Sequence, residues 1–226
     1  MKFKLIFLLL ASILLSYGAI AAPVIGTVAP ISALHGSTVS GSFKVSSNAN
    51  VSDVTLESTV VSGFTVSFSP VSFSLIKDEE KTITYTVVVA SQSAPKEYTL
   101  PFKVKSSQGD VSSSLKITVN ESKTLTVSSL TLSKSFKTGN ITVINTGNVD
   151  LSNVDLTLNP AVLKDNDNNQ ITLTLSEDPI ALIRAGESKT ISITSAFPSK
   201  LNIGNYASSI IAVLSGVSLN CCMHLK

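Results

Sequence analysis

The amino-acid sequence predicts an all-β fold made of two tandem antiparallel β-sandwich domains behind an N-terminal signal peptide. Three observations indicate this fold. The 226 residues leave room for two domains of about 100 residues each, short segments of alternating polarity recur between turn residues, and one pattern of segments occurs twice. The chain also holds 37 Ser and 21 Thr. Its many Val, Ile and Thr residues favour strands, because β-branched side chains lose rotamer freedom in a helix.

Residues 1–21 are predicted to be a signal peptide. Lys2 and Lys4 precede an apolar run over 5–15, and the small residues of Ala19-Ile20-Ala21 fit the cleavage pattern that follows such a run. The alternative is an uncleaved anchor, since the stretch from Leu5 to Ala22 is just long enough to span a bilayer. We expect cleavage after Ala21, a secreted or cell-surface location, and no membrane span in the mature chain.

The mature chain is expected to be electrically neutral overall. Cleavage removes Lys2 and Lys4 from the 17 basic residues and leaves as many basic as acidic side chains. A neutral chain has no field that attracts polyanions, so we expect no binding to nucleic acid and no attraction to anionic lipid.

Alternating polarity marks the strands. In residues 81–89 the apolar side chains of Ile83, Tyr85, Val87 and Val89 share one face and threonines share the other. Residues 98–105 and 115–119 alternate in the same way. A period of two with one polar face predicts half-buried antiparallel strands, and turn residues every 8–12 positions predict a sandwich.

The pattern of segments repeats with an offset that grows from about 98 to 108 residues. The matched segments are 41–45 with 139–143, 52–56 with 152–156, 81–84 with 189–192, and Tyr98 with Tyr206. The growing offset predicts an insertion in the second copy at 164–170. The predicted domains are residues 22–121 and 122–226, joined by a short polar link near 120–123.

Four segments of the second copy carry a family resemblance: 143–151, 153–158, 185–191 and 204–206. They resemble the immunoglobulin-like repeats of archaeal S-layer-associated proteins and bacterial cell-adhesion-related domains. The first copy departs from the pattern at Lys96-Glu97-Tyr98, where Lys96 replaces a glycine. The resemblance implies an immunoglobulin-like sandwich in an extracellular array, and it implies no activity.

Two local features of the strands leave alternatives open. Tyr98 and Tyr206 stand at strand starts, where a tyrosine hydroxyl can bond to upstream backbone in a tyrosine corner, or the rings can simply pack in the core. Pro101 lies inside a strand that should be central, although proline cannot donate to a ladder. Such a proline fits an edge strand or a β-bulge, and because this strand should be central, a bulge at Pro101 is the arrangement left open.

Candidate catalytic groups are few, so we predict that the protein is not an enzyme. A nucleophilic mechanism needs a base beside a Ser or Cys. The two histidines, His35 and His224, fall in different predicted domains with no nucleophile motif nearby. The run from Asp78 to Glu80 has the character of a solvated turn. No cofactor is expected, with calcium as the one exception considered.

Calcium is considered at Asp165, Asp167 and Asn169, whose spacing of two residues opens a calcium-binding loop. The glycine expected next is Gln170, and the twelfth position is Ser176 in place of Glu. A solvated insertion loop is therefore the competing interpretation.

Two kinds of covalent modification are also predicted. Asn50, Asn120 and Asn140 each begin an Asn-x-Ser/Thr acceptor pattern for glycosylation. Cys222 alternates with a Cys221 that is expected to be buried in the last strand, so we expect the Cys222 thiol to face outward and to form a disulfide-linked dimer or a disulfide with a partner. The competing expectation is a shielded, unreactive thiol.

The function predicted from these features is structural or adhesive. We expect a secreted or surface-displayed spacer, or an envelope-layer component, whose partners are envelope proteins or glycans. The alternative is a non-catalytic carbohydrate-binding or accessory module of an extracellular enzyme system.

Overall fold

The structure is a computed structural model that describes residues 22–133, 135–202, 204, 206–214 and 217–225, with the backbone alone described at 214 and 217–225. Every regular element in that part of the chain is a β-strand, which confirms the all-β prediction. The strands group into two compact units. Unit 1 is formed by residues 22–90 and 96–120, and unit 2 by residues 91–95 and the described residues from 121 onward.

Unit 1 is a sandwich of two sheets. Its strands are β1 (Val24–Ile25), β2 (Ile31–Ala33), β3 (Thr38–Ser46), β4 (Val51–Ser58), β5 (Phe64–Ser69), β6 (Ser72–Leu75), β7 (Glu80–Val89), β8 (Glu97–Lys105) and β9 (Val111–Val119). One sheet has the order β1-β3-β7-β5 and the other β2-β9-β8-β4-β6. With β1, β3, β4, β5, β7, β8 and β9 lettered A to G, the orders contain A-B-E-D and G-F-C, the arrangement of the immunoglobulin fold.

Aromatic rings fill the centre of the unit 1 core. Phe43 of the first sheet and Phe102 of the second lie with ring centroids 5.0 Å apart, and Phe68 lies 5.3 Å from Phe102. Tyr85 is 1% exposed. These rings bury large apolar areas and pack at tilted or edge angles, which favours their contact.

Unit 2 repeats the same plan. Its strands are β10 (Leu125–Val127), β11 (Leu130–Leu132), β12 (Thr138–Asn145), β13 (Leu151–Asn159), β14 (Val162–Lys164), β15 (Gln170–Leu175), β16 (Ile180–Ile183), β17 (Ser188–Ala196), β18 (Tyr206–Leu214) and β19 (Val217–Leu225). The sheet orders are β10-β12-β17-β15-β14 and β11-β19-β18-β13-β16. Strand β14, which pairs with β15 through Leu163 and Ile171, has no counterpart in unit 1 and ends at Lys164, where the predicted insertion 164–170 begins.

The core of unit 2 is aliphatic among the residues whose side chains are described. Ile141, Ile193, Val154, Leu156 and Ala212 come from both sheets and belong to one buried cluster. Apart from β14, the two sandwiches have matching strand orders. Their cores are filled by different side chains, so the same strand arrangement accommodates both an aromatic and an aliphatic core.

Two strand pairs differ from the predicted antiparallel arrangement. Strand β2 pairs with β9 in parallel, with Ile31 opposite Ile117, and β11 pairs with β19 in parallel, with Leu130 opposite Met223. In each unit the first segment changes sheets. Its first part (β1 or β10) pairs antiparallel with the next strand, and its second part then runs beside the last strand in the same direction.

The bulge expected at Pro101 does not form. The ladder between β8 and β9 runs without a register shift from Glu97 to Val104, and Pro101 lies opposite Ser114. The Pro101 carbonyl accepts a hydrogen bond from the Thr59 amide at 2.9 Å. In an antiparallel strand the nitrogen and carbonyl of one residue point to the same side. The proline nitrogen therefore faces the end of β4 just beyond Ser58, so the donor that proline lacks falls where the paired part of β4 ends, and the ladder with β9 is not interrupted.

Candidate ligand-binding and modification sites

The turn between β14 and β15 is organised around the Asp165 carboxylate. Its Oδ1 accepts hydrogen bonds from the backbone amides of Asp167 at 3.0 Å and Asn169 at 2.7 Å. Its Oδ2 accepts from Asn169 Nδ2 at 2.8 Å and from the Asn202 amide at 3.0 Å. Four N–H groups therefore converge on one carboxylate, and backbone hydrogen bonds from the Asp165 amide to the Asn169 carbonyl and from the Asn168 amide to the Asp165 carbonyl also close the turn.

Asn202 is the residue of this cluster that sequence reasoning did not single out. Its side-chain Nδ2 donates to Asp167 Oδ2 at 2.9 Å, and its carbonyl accepts from the Tyr206 hydroxyl at 2.8 Å. The last contact is the tyrosine corner considered for Tyr206: a hydroxyl at the start of a strand bonded to backbone four residues upstream. Asn202 joins the insertion turn to the segment before β18.

The hydrogen bonds determine how Asp165 titrates. Burial alone would raise the pKa of this carboxyl, but hydrogen bonds from Asn202, Asn169 and Asp167 outweigh burial and lower the pKa below its ordinary value. Burial, followed by the negative charge of Asp165, raises the pKa of the Tyr206 hydroxyl. The cluster therefore favours an ionised aspartate and a neutral tyrosine.

The calcium prediction for Asp165, Asp167 and Asn169 stays a prediction. The structure brings the three side chains into one turn, but the Asp165 oxygens face N–H donors. Calcium prefers oxygen ligands, so an ion at this turn would have to replace some of those hydrogen bonds. Among the described residues, no three His, Cys, Asp or Glu side chains are grouped to hold a metal ion.

The three predicted glycosylation acceptors are exposed. Asn50 precedes β4, and its Oδ1 accepts a hydrogen bond from the Lys77 amide at 2.7 Å. Asn120 directly follows β9. Asn140 lies within β12, where its Oδ1 accepts from Ser192 Oγ at 2.8 Å. The positions differ in backbone setting, since Asn140 is part of a paired strand and the other two lie outside strands.

Two predictions fall outside the described residues. The signal peptide covers residues 1–21, and the side chains of Cys221 and Cys222 are not described. The backbone of β19 pairs with β18 so that Cys222 lies opposite Ser209. No helix in the described part of the chain is long and apolar enough to cross a membrane.

One sheet of unit 1 carries rows of hydroxyl side chains on its outer surface. Pairing of β3, β7 and β5 aligns Ser40 with Thr86 and Ser67, and Ser42 with Thr84 and Ser69. Ser40 Oγ and Thr86 Oγ1 are 3.2 Å apart. We call the outer surface formed by these two rows the hydroxyl face of unit 1.

The corresponding sheet of unit 2 carries the same kind of surface. Pairing of β12, β17 and β15 aligns Thr138 with Thr194 and Thr174, and places Asn140 opposite Ser192 and Thr142 opposite Thr190. These residues form the hydroxyl face of unit 2. Six of the seven are Ser or Thr, and the rows contain no charged side chain.

Charge in unit 1 is concentrated on the other sheet. Lys105 forms an ion pair with Glu57 at 2.7 Å and Lys116 with Glu97 at 3.4 Å, on β8, β9 and β4. The hydroxyl face of unit 1 meets one ion pair, between Lys44 and Glu80, at its end. Alternation predicts each polar strand face separately, but only the sheet order places the hydroxyl strands side by side.

No protein-family model and no curated protein matches the chain. Solved structures with some likeness include a protein of unknown function from Porphyromonas gingivalis W83, at 15% identity over 90% of this chain and 99% of that one, with a TM-score of 0.33. Titin Ig tandem domains A164-A165 are 12% identical over 91% of this chain and 96% of that one, with a TM-score of 0.33. The D0-D1 domain of intimin is 11% identical over 90% of this chain and 98% of that one, with a TM-score of 0.32. TM-scores this low do not establish a shared fold. The immunoglobulin-like arrangement therefore rests on the strand orders of the two units.

Proposed function

We propose that the chain is an exported, non-catalytic surface protein in which two tandem immunoglobulin-like domains, residues 22–121 and 122–226, act as a spacer, an adhesive module or a component of an envelope layer. The observation that carries the proposal is the repetition of one sandwich plan in both units. In each unit two sheets pack on one buried core, and such a rigid body can hold its outer faces and loops in place for contact with other molecules. The signal-peptide pattern of residues 1–21 supports export.

The proposal is tested by locating the protein in cells. We would express the full chain with a C-terminal epitope in a bacterial host, separate the compartments, and measure the intact mass of the purified product. Export with a mature chain that begins at Ala22 is the expected outcome. A cytoplasmic product that retains Lys2 and Lys4 would contradict the proposed export.

A carbohydrate-binding or accessory module is the second candidate function. The observation that favours it is the uncharged hydroxyl face present on both units. Retention of the mature protein on an insoluble polysaccharide would separate this function from a pure spacer, which should retain nothing. Envelope glycans are the partner class common to both candidates.

A calcium ion bound at Asp165, Asp167 and Asn169 is a further part of the proposal. A site of this extracellular kind would have a Kd of about 10⁻⁴–10⁻³ M. Thermal unfolding in millimolar calcium should then rise in temperature for the wild type and not for Asp165→Ala. An unchanged wild-type curve would end the calcium hypothesis.

A covalent dimer through Cys222 is tested by electrophoresis without reductant. The expected result is a dimer band that reductant removes and that Cys222→Ser abolishes. A monomer band in both conditions, with no thiol labelling sensitive to the same substitution, would contradict the covalent dimer.

The intact mass of the exported protein also tests the three glycosylation acceptors, since Asn50→Gln, Asn120→Gln and Asn140→Gln should each remove one glycan if all three are used.

A further inference from the structure

We propose that the hydroxyl faces of units 1 and 2 bind uncharged polysaccharide. This inference rests on the carbohydrate-binding candidate above and deepens it, because it names the surface, the residues and the charge class of the ligand. The argument starts from the rows Ser40-Thr86-Ser67 and Ser42-Thr84-Ser69 in unit 1 and from the rows through Thr194 and Ser192 in unit 2.

The absence of charge within the rows excludes charged ligands. A sulfate, phosphate or carboxylate that gives up its hydration on binding needs an opposite charge or several strong donors to replace it. The rows supply hydroxyl and amide groups only. In unit 1 the ion-paired cations and anions of β8, β9 and β4 lie on the opposite sheet. A charged polymer would therefore gain nothing on the hydroxyl face.

The side-chain types in the rows also argue against a protein partner. Protein interfaces depend on a few buried aromatic, methionine or arginine anchors, and none of these residue types occurs in the rows. The strands that carry the rows also hold Val88, at 45% exposure, and Ile144, at 38%, and Phe136, at 74%, precedes the row residue Thr138 by two positions. One or two apolar side chains at the ends of each face are too few for a hydrophobic interface.

A polyol fits the remaining chemistry. Each Ser or Thr hydroxyl donates one hydrogen bond and accepts others, as a sugar hydroxyl does. The strands repeat these groups at about 4.8 Å across the sheet and about 6.8 Å along each strand. A polymer with a repeating hydroxylated unit can make many weak contacts with such rows. The same design in both units doubles the number of contacts that one chain offers.

The proposal is tested by NMR on uniformly ¹⁵N-labelled protein purified from the exporting host. The probes are three uncharged polymers (dextran, mannan and soluble cellulose oligosaccharides), with dextran sulfate as the charged counterpart of dextran. At least one uncharged polymer should shift the amide signals of β3, β7, β12 and β17 while those of β8 and β9 stay unchanged. Dextran sulfate should not shift the signals of the four strands.

Matched substitutions assign the binding to the proposed surface. Thr84→Lys combined with Thr194→Lys places an exposed charge at the centre of each face and should weaken binding about tenfold, equal to about 1.4 kcal/mol. Thr99→Lys is the control, because Thr99 is also an exposed strand threonine but lies on β8 opposite Lys116. It should keep wild-type affinity, and equal melting temperatures would show that all variants fold.

Four outcomes overturn the proposal: no shifts with any of the three polymers, shifts confined to β8 and β9, stronger binding of dextran sulfate, or equal loss in Thr99→Lys. Shifts in the hydroxyl strands that grow with protein concentration and not with polymer would identify a second copy as the occupant, which also overturns it. Export is measured separately by intact mass, so a failure here leaves the surface-spacer function standing.

Discussion

The amide of Asn145 holds three segments of unit 2 together. The side chain has no exposed surface. Its Nδ2 donates to the carbonyl of Val149 at 2.8 Å and to that of Ile183 at 3.0 Å, and its Oδ1 accepts from the Gly147 amide at 3.0 Å. One residue at the end of β12 therefore satisfies buried backbone groups of the following turn and of β16 in the other sheet.

Replacing Asn145 with Ala should lower the free energy of unfolding by about 2–4 kcal/mol. The substitution removes the side-chain donor to the carbonyls of Val149 and Ile183, and an unsatisfied buried group costs about 1–3 kcal/mol. The Gly147 amide keeps a hydrogen bond to the Thr124 carbonyl at 3.2 Å. Urea unfolding followed by circular dichroism measures the change. Asn140→Ala is the control, since an exposed asparagine should change the free energy by about 0.5 kcal/mol or less. Equal effects in the two variants would disprove the role of the buried amide.

Protonation of Asp165 should destabilise unit 2 in acid. Its folded pKa is lowered, whereas the unfolded carboxyl titrates near its ordinary value of about 3.9. The ionised form is thus favoured by folding, and the stabilisation is complete above the unfolded pKa and is lost as pH falls through the folded pKa. We expect Asp165→Asn to be less stable than wild type at pH 7, with the difference shrinking below about pH 4. A difference that stays constant from neutral to acid pH would rule this out.

Local spacing identified Asp165, Asp167 and Asn169 as one group, but the residue that completes the cluster could not be found this way. Asn202 is 37 residues from Asp165, and an asparagine in a polar segment has no local pattern that marks its partner. Its place follows from the path of the chain between β17 and β18, which depends on the whole sheet.

At the scale of strands, a glycine stands at the same position in both units, but a different neighbouring side chain leaves no room for a larger residue in each. Gly41 in β3 lies opposite Tyr85 in β7, and a Cβ at Gly41 would meet the Tyr85 ring and hydroxyl. Gly139 in β12 is covered instead by Leu130, whose Cδ1 would lie 2.6 Å from an added Cβ. In both units the missing side chain leaves room for a larger neighbour.

Gly41→Ala should destabilise unit 1 by about 1–3 kcal/mol, the usual cost of overpacking a close contact. A double-mutant cycle with Tyr85→Leu isolates the cause. If the Tyr85 ring is what the new methyl meets, the loss caused by Gly41→Ala should shrink in the Tyr85→Leu background. Additive losses would show that the glycine is needed for its backbone alone. Ser42→Ala, an exposed neighbour, serves as the control for β3.

Alternation gave the buried face of β7 correctly: Ile83, Tyr85, Val87 and Val89 are each at most 1% exposed. It could not give the neighbours of each strand, because a period of two fixes which face is buried and leaves the pairing to turns and to packing. The same limit explains why the setting of Pro101 could not be predicted. The sequence shows a proline in a strand, but only the pairing shows that its missing donor falls at the end of the ladder with β4, just beyond Ser58.

At the scale of the whole molecule, residues 22–121 should fold without the rest of the chain. Unit 1 has its own buried cluster drawn from both of its sheets, and a domain of about 100 residues can bury enough surface to be stable alone. The expected result is a dispersed amide NMR spectrum and a single cooperative unfolding transition for a chain of these residues. A collapsed spectrum would indicate that strands of the second half are needed.

The parallel pairing of the first and last strands has a mechanical consequence for each unit. Because β2 and β9 run in the same direction, the chain enters unit 1 at one end of this pair and leaves at the other, and β11 and β19 repeat the arrangement in unit 2. A pull along the chain would therefore slide the two strands past each other and load the hydrogen bonds at Ile31, Ser32 and Ala33 together. Bonds sheared as a group must break at once, whereas bonds peeled from one end break singly. Each unit thus resists a stretching force applied between its two chain ends.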